Sequence, residues 1–197
     1  MCQDPSDYKE LIRKILQRIA APSPQLTIIS KDFGKDESSN ISKSLELAII
    51  QEYPRTAFAT TVPILMSRYP GGWPHGIAGA LFHSPAHLPA MLQDIVAFSL
   101  SSEFPIEESS ESAKSEIWSM LSYWKTRDIK VVLIFDQFES CLNNLSDQKD
   151  RVSLFEFLEK CIDYTPLLEV VIFIQQQCDH YLMDWPMAVK VLGDNTF

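Results

Sequence analysis

Val131-Val132-Leu133-Ile134-Phe135 is an unbroken apolar run closed by Asp136. A strand apolar on both sides has to be covered on both sides, and a parallel sheet between two layers of helix does this. A second run of the same kind, Val170-Val171-Ile172-Phe173-Ile174, ends in Gln175-Gln176-Gln177, and a shorter one, Leu26-Thr27-Ile28-Ile29, lies near the start of the chain. Amphipathic segments separate the three. Right-handed crossovers then predict an α/β fold whose strands run parallel in one sheet.

The helical segments are read from apolar spacing. Tyr8, Leu11, Ile12, Ile15, Leu16 and Ile19 make one face of a helix over about Asp7 to Ala20, ended by Pro22 and Pro24. Ile41, Leu45, Ala48 and Ile49 mark a second helix over about Asn40 to Glu52. Thr56 to Leu65 is β-prone, but Pro63 argues against a central strand. Gly76 to Phe82 reads as another buried strand, and Ser84-Pro85 as the start of a helix whose buried face is Leu88, Met91, Leu92, Ile95 and Val96. Ser101 to Ser115 is acidic and serine-rich, hence a solvated loop, before a helix with Ile117, Leu121 and Trp124 inward. A last helix over about Arg151 to Ile162 buries Leu154, Phe155, Leu158 and Ile162. The length of 197 residues fits one domain over 1–197, with 1–25 an N-terminal helix and linker and 26–197 the α/β core.

Charge and cysteines narrow the function. A net charge of -9 repels nucleic-acid phosphate, and the sequence shows no basic patch to offset it. Cys2, Cys141, Cys161 and Cys178 form neither a CxxC pair nor zinc-finger spacing, which favours buried thiols in a reducing compartment. Asp4, Asp7, Lys9 and Glu10 interrupt any signal-peptide core, and no apolar run reaches transmembrane length. An intracellular protein without a membrane partner is expected.

The chemistry concentrates at Asp136. Ligands of open α/β sheets bind beyond the carboxyl ends of the strands. An Asp there holds Mg²⁺ and leaves it free to bridge phosphates; the bland alternative is an acidic cap on a loop. Gln137 follows, and a glutamine orients water without taking its proton. Between the first strand and the next helix, Gly34-Lys35 echoes the end of a phosphate loop. The first glycine is missing, Asp36 stands where the hydroxyl belongs, and Asp32, Asp36 and Glu37 oppose a triphosphate. The candidate nucleotide set is Gly34, Lys35, Asp136, Gln137, Glu139 and Gln175, with Asp136 as metal ligand. His83 and His87 lack a third ligand for a metal. Trp73 and Trp185 are read either as interface anchors or as core packing.

The chain resembles the AAA+ domain of the fourth subunit of the eukaryotic origin recognition complex. The segment Tyr8 to Ile19 is similar to that family's helix before the phosphate-loop strand, and Gly79-Ala80-Leu81-Phe82-His83-Ser84 with the helix to Leu100 to its second strand and helix. Ile117 to Phe135 resembles the helix and strand leading into Walker B, and Asp136-Gln137-Phe138-Glu139 its Asp-Glu-Phe-Asp signature. Asp-Gln-Phe-Glu also resembles the Walker B end of the STAND class of signalling NTPases. Both resemblances imply a P-loop NTPase fold, AAA+/STAND-like, a three-layer sandwich with a mainly parallel sheet. They imply ATP and Mg²⁺ as cofactors, other protein subunits as partners, DNA contact only through them, and a nuclear location for the initiator reading. The departures predict a degenerate subunit: the glycine-rich loop is absent, Gln137 replaces a glutamate, and only Lys190 stands where an arginine would reach a neighbour's ATP. Weak ATP affinity and no hydrolysis are therefore expected.

Overall fold

The computed structural model describes residues 5–20, 26–34, 36–52, 60–66, 73–83, 110–145 and 147–194. Its elements are α1 (Pro5–Ile19), β1 (Leu26–Lys31), α2 (Glu37–Glu52), β2 (Thr60–Met66), α3 (Trp73–His83), α4 (Ser110–Lys125), β3 (Ile129–Phe135), α5 (Phe138–Asn143), α6 (Gln148–Tyr164), β4 (Leu168–Gln175), a 3-10 helix (Gln176–Asp184) and α7 (Pro186–Asp194). The four strands form one sheet in the order β1-β4-β3-β2. Every pairing is parallel, with Ile28 opposite Ile172, Leu133 opposite Val170 and Ile64 opposite Leu133. The fold is an α/β sandwich of three layers, a parallel sheet between two layers of helix.

Period-two alternation sorts the strand residues between two cores. Val132, Ile134, Val171, Phe173 and Ile29 face α1 and α2, where Ile15, Leu16, Ile19, Ile41, Leu45 and Ile49 meet them. Val131, Leu133, Phe135, Val170, Ile172 and Ile174 face the other way, onto α3, α4, α6 and α7. Both faces are apolar because both are covered. Three details depart from the sequence reading. The run from Gly76 to Phe82 is helical, within α3, so it is not a second strand of the initiator type. A short run rich in alanine and glycine carries no period that separates helix from strand, and the buried Trp73, Ile77 and Ala78 take helical spacing. The second strand is instead β2, and Pro63 lies inside it. Among the described residues only β3 flanks β2, so a residue without an N–H is tolerated on this edge. Residues 110–115, expected in a loop, belong to the first turns of α4. The helix expected from Ser84 to Leu100 lies outside the described residues.

At the amino-terminal ends of the strands a buried carboxylate faces a half-buried ammonium. Glu169 of β4 is shielded from solvent; its Oε2 lies 3.9 Å from Lys130 Nζ of β3, and its Oε1 accepts a long 3.5 Å contact from Thr27 Oγ1 of β1. The Lys130 ammonium also donates to the Ile19 carbonyl at the end of α1. Burial pulls the Lys130 pKa below its ordinary value, while Glu169 acts in the opposite sense. The cation thus satisfies a carbonyl orphaned at a helix C-terminus and ties α1 to the sheet.

Candidate functional site

Asp136 follows the last residue of β3, and its N–H donates to Met66 O at 2.8 Å, extending the ladder with β2 by one bond. The side chain is 1% exposed. Its Oδ2 accepts a 2.5 Å hydrogen bond from Ser39 Oγ in the first turn of α2, 97 residues earlier in the chain. The next residue, Gln137, sits at φ 51 and ψ 52, a left-handed conformation costing a non-glycine residue about 1–2 kcal/mol. The bend turns Phe138 back under the strand, where it is fully buried and meets the Phe135 ring edge-on at 5.1 Å. Cys141 and Leu142 are buried beside it, so packing of α5 opposes the backbone cost. The Gln137 amide donates to Ser39 Oγ at 3.1 Å. Asp136, Ser39 and Gln137 therefore form one polar unit at the carboxyl end of the sheet.

The loop after β1 is held from three directions. Gln175, at the end of β4, pairs with Phe33 as one peptide group pairs with another: its Oε1 accepts the Phe33 N–H at 3.1 Å and its Nε2 donates to Phe33 O at 3.2 Å. Glu139 accepts the Gln175 N–H at 3.3 Å. Glu37 accepts the Gly34 N–H at 2.8 Å and the Tyr8 hydroxyl at 2.6 Å. The Tyr8 hydroxyl and the Gly34 N–H, with Lys31 nearby, hold the Glu37 carboxyl below its ordinary pKa. Ser30 Oγ, next to the end of β1, donates to Asp179 at 2.6 Å.

These contacts place the sequence-derived candidates. Asp136 and Gln137 share one cluster, while Gly34, Glu139 and Gln175 belong to the loop brace beside it. Lys35 lies outside the described residues. The hydroxyl facing Asp136 is Ser39, not a residue at position 36; Asp36 is exposed. Counting back from Ser39 in the order of a phosphate loop puts buried Ser38 where the lysine belongs, Glu37 where the last glycine belongs and Asp32 where the first belongs. The register drawn from Gly34-Lys35 is thus displaced by three residues. Ser39 was legible only as a polar residue before the helix. The better signal is Ser38 and Ser42, both buried and four apart, which face the first turn of α2 toward the sheet.

The hydroxyl and carboxylate of Ser39 and Asp136 are the hard oxygen donors that Mg²⁺ prefers. The phosphate side departs from a phosphate loop: the Gly34 and Phe33 N–H groups donate to Glu37 and Gln175, and no lysine occupies position 38. Burial pushes the thiols of Cys141 and Cys161 up to about 12. Burial and the Glu139 and Asp179 carboxylates push Cys178 up as well, which keeps it protonated at neutral pH. An open groove of about 610 Å³ between α4 and α6, lined by Trp118, Phe157, Lys114 and Glu156 among others, includes none of the residues at the strand ends. Trp73 and Trp185 correct the interface-anchor reading. Trp73 is buried against Phe157 at 5.0 Å, and Trp185 is 0% exposed and stacked on Phe155 at 4.9 Å.

The fold has a counterpart among solved structures. The ORC2 protein of Aeropyrum pernix, solved in ADPNP-ADP complexes, aligns with a TM-score of 0.63 at 11% sequence identity. The match covers 97% of this chain and 46% of that one, so the chain spans about half the length of this neighbour. No family model matches the sequence. No curated protein matches it.

Proposed function

We propose that this chain is a weakly nucleotide-binding or non-catalytic AAA+-like subunit of a DNA replication origin recognition complex, of the fourth-subunit type. It works through contacts with other protein subunits in the nucleus and meets DNA only through them. The observation carrying this reading is the Asp136–Ser39 pair with Gln137 beside it. The pair keeps the oxygens of a nucleotide site, while the position next to the Asp holds an amide that cannot act as a base. The likeness to an ORC2 protein supports the initiator assignment, and the net charge of -9 supports a basic protein surface rather than DNA as the direct partner. No helix among the described residues is long and apolar enough to cross a membrane.

The Asp136-Gln137-Phe138-Glu139 tetrapeptide favours a second reading, a STAND-like switch domain. Affinity purification of the full-length protein from its own cells separates the two. Recovery of replication-initiation subunits is expected; recovery of a fused sensor or effector would favour the switch. Nucleotide turnover by the purified chain, abolished by Asp136→Ala, would overturn the non-catalytic reading.

A further inference from the structure

The loop after β1 contains an anion supplied by the chain itself. In a phosphate loop, backbone N–H groups at the start of a helix converge on a phosphate oxygen. Here the Gly34 N–H points at Glu37 Oε2, 2.8 Å away, and the Tyr8 hydroxyl reaches Glu37 Oε1 at 2.6 Å from α1. The Glu37 N–H closes the turn on Gly34 O at 3.0 Å. The carboxylate stands in the first turn of α2, where the helix dipole favours negative charge. Gly34 allows this approach, because a Cβ there would lie 3.2 Å from Glu37 Oε2. Two residues thus converge on one carboxylate: Gly34, with its N–H and its lack of a side chain, and Tyr8, with a tethering phenol from another helix.

We propose that Glu37 is a resident stand-in for phosphate, an autoinhibitory contact that closes the loop to oxyanions and keeps it in shape without a ligand. The inference rests on the non-catalytic reading above and deepens it. The counter-ion of the Gly34 N–H is covalently part of the chain, so this contact does not depend on nucleotide. Tyr8 makes α1 the latch. Displacing α1, or neutralising Glu37, would return the Gly34 N–H to an external oxyanion, with Lys31 close by. Asp32 and Asp36 oppose such a ligand, but both are exposed and screened by salt, which limits their effect.

The test uses inorganic phosphate as the probe and the Gly34 amide resonance as the readout, in the full chain. Wild type is expected to show no movement of that resonance. Glu37→Ala is expected to gain phosphate affinity on the order of tenfold or more over wild type, the scale of about one charge-assisted bond. Tyr8→Phe, which removes only the tether, should give a smaller gain. Glu37→Gln keeps the side-chain shape and serves if Glu37→Ala fails to fold; it should fall between wild type and alanine. A Gly34 resonance that moves with phosphate in wild type would overturn the proposal, as would folded Glu37 variants that ignore phosphate. These outcomes are separable from nucleotide turnover lost in Asp136→Ala, which concerns the other side of the site.

Discussion

At one end of the sheet, a buried Glu169 faces the half-buried Lys130; at the other, a buried Asp136 carboxylate meets the Ser39 hydroxyl. Both ends place an acidic group where water is scarce, and both connect elements far apart in the chain. They differ in what the partners could release. The lower pair is closed by a helix carbonyl, a strand threonine and a full counter-charge, so it reads as a staple. The upper pair is neutral on one side, borders a strained left-handed residue and is flanked by a loop braced by side chains. Strained backbone and short polar contacts gather where a fold once served, or still serves, a ligand. Buried charge alone therefore does not mark a site; the kind of partner and the backbone beside it do.

The sharpest way to break this comparison is at the lower end. Lys130→Met leaves Glu169 buried without its counter-charge and should cost about 3–5 kcal/mol in a denaturant titration. Lys130→Met combined with Glu169→Met should recover most of that loss. A double variant as unstable as the single one would show that the pair is not a unit. At the upper end, Ser39→Ala removes the donor to a buried carboxylate and should cost about 1.5–3 kcal/mol by the same titration. No loss there would mean that water replaces the hydroxyl without penalty.

A pH series probes the loop brace. Because the Glu37 carboxyl is held below its ordinary pKa of 4.5, its contribution is fully present above that value and is lost as pH falls through the lower, folded-state value. Glu37→Gln should therefore flatten the acid limb of stability below about pH 4.5 relative to wild type. Parallel acid limbs would remove Glu37 from the account. The smallest effects are expected at the two residues with positive φ that bracket β3, Asp128 at 53° and Gln137 at 51°. Asp128→Gly relieves its strain on an exposed turn and should raise stability by up to about 1 kcal/mol. Gln137→Gly relieves the same strain but forfeits the bond to Ser39, so its gain should be smaller or absent. Equal gains would show that the Gln137 amide contributes nothing.

Much of the fold was legible. Val131 to Phe135 and Val170 to Ile174 are apolar at every position, and only a strand covered on both faces accommodates that without exposing half of it. The apolar stripe of α1 was equally plain. Trp73 to His83 was not, because small and apolar residues on every side erase the period that distinguishes helix from strand. Pro63 argued correctly against a central strand, but the sequence alone does not say that the strand carrying it lies at an edge. At the site, Asp136 was legible from its place after a core strand. Ser39 was not, since the Gly34-Lys35 pair attracted the register three residues early, and only three-dimensional proximity identifies the hydroxyl. Glu37 was legible as a charge hostile to phosphate. That the same charge is satisfied by its own loop and by Tyr8 depends on a contact across 29 residues, which no local pattern encodes.

Pro63 has a consequence for how this molecule meets others. Among the described strands β2 is one border of the sheet, and there proline presents a ring where an approaching strand would need an N–H. Strand β1 is the other border, and α7 packs against it. Among the described residues neither border offers an open edge for another chain to lengthen the sheet, so runaway polymerisation through these strands is discouraged by the same design.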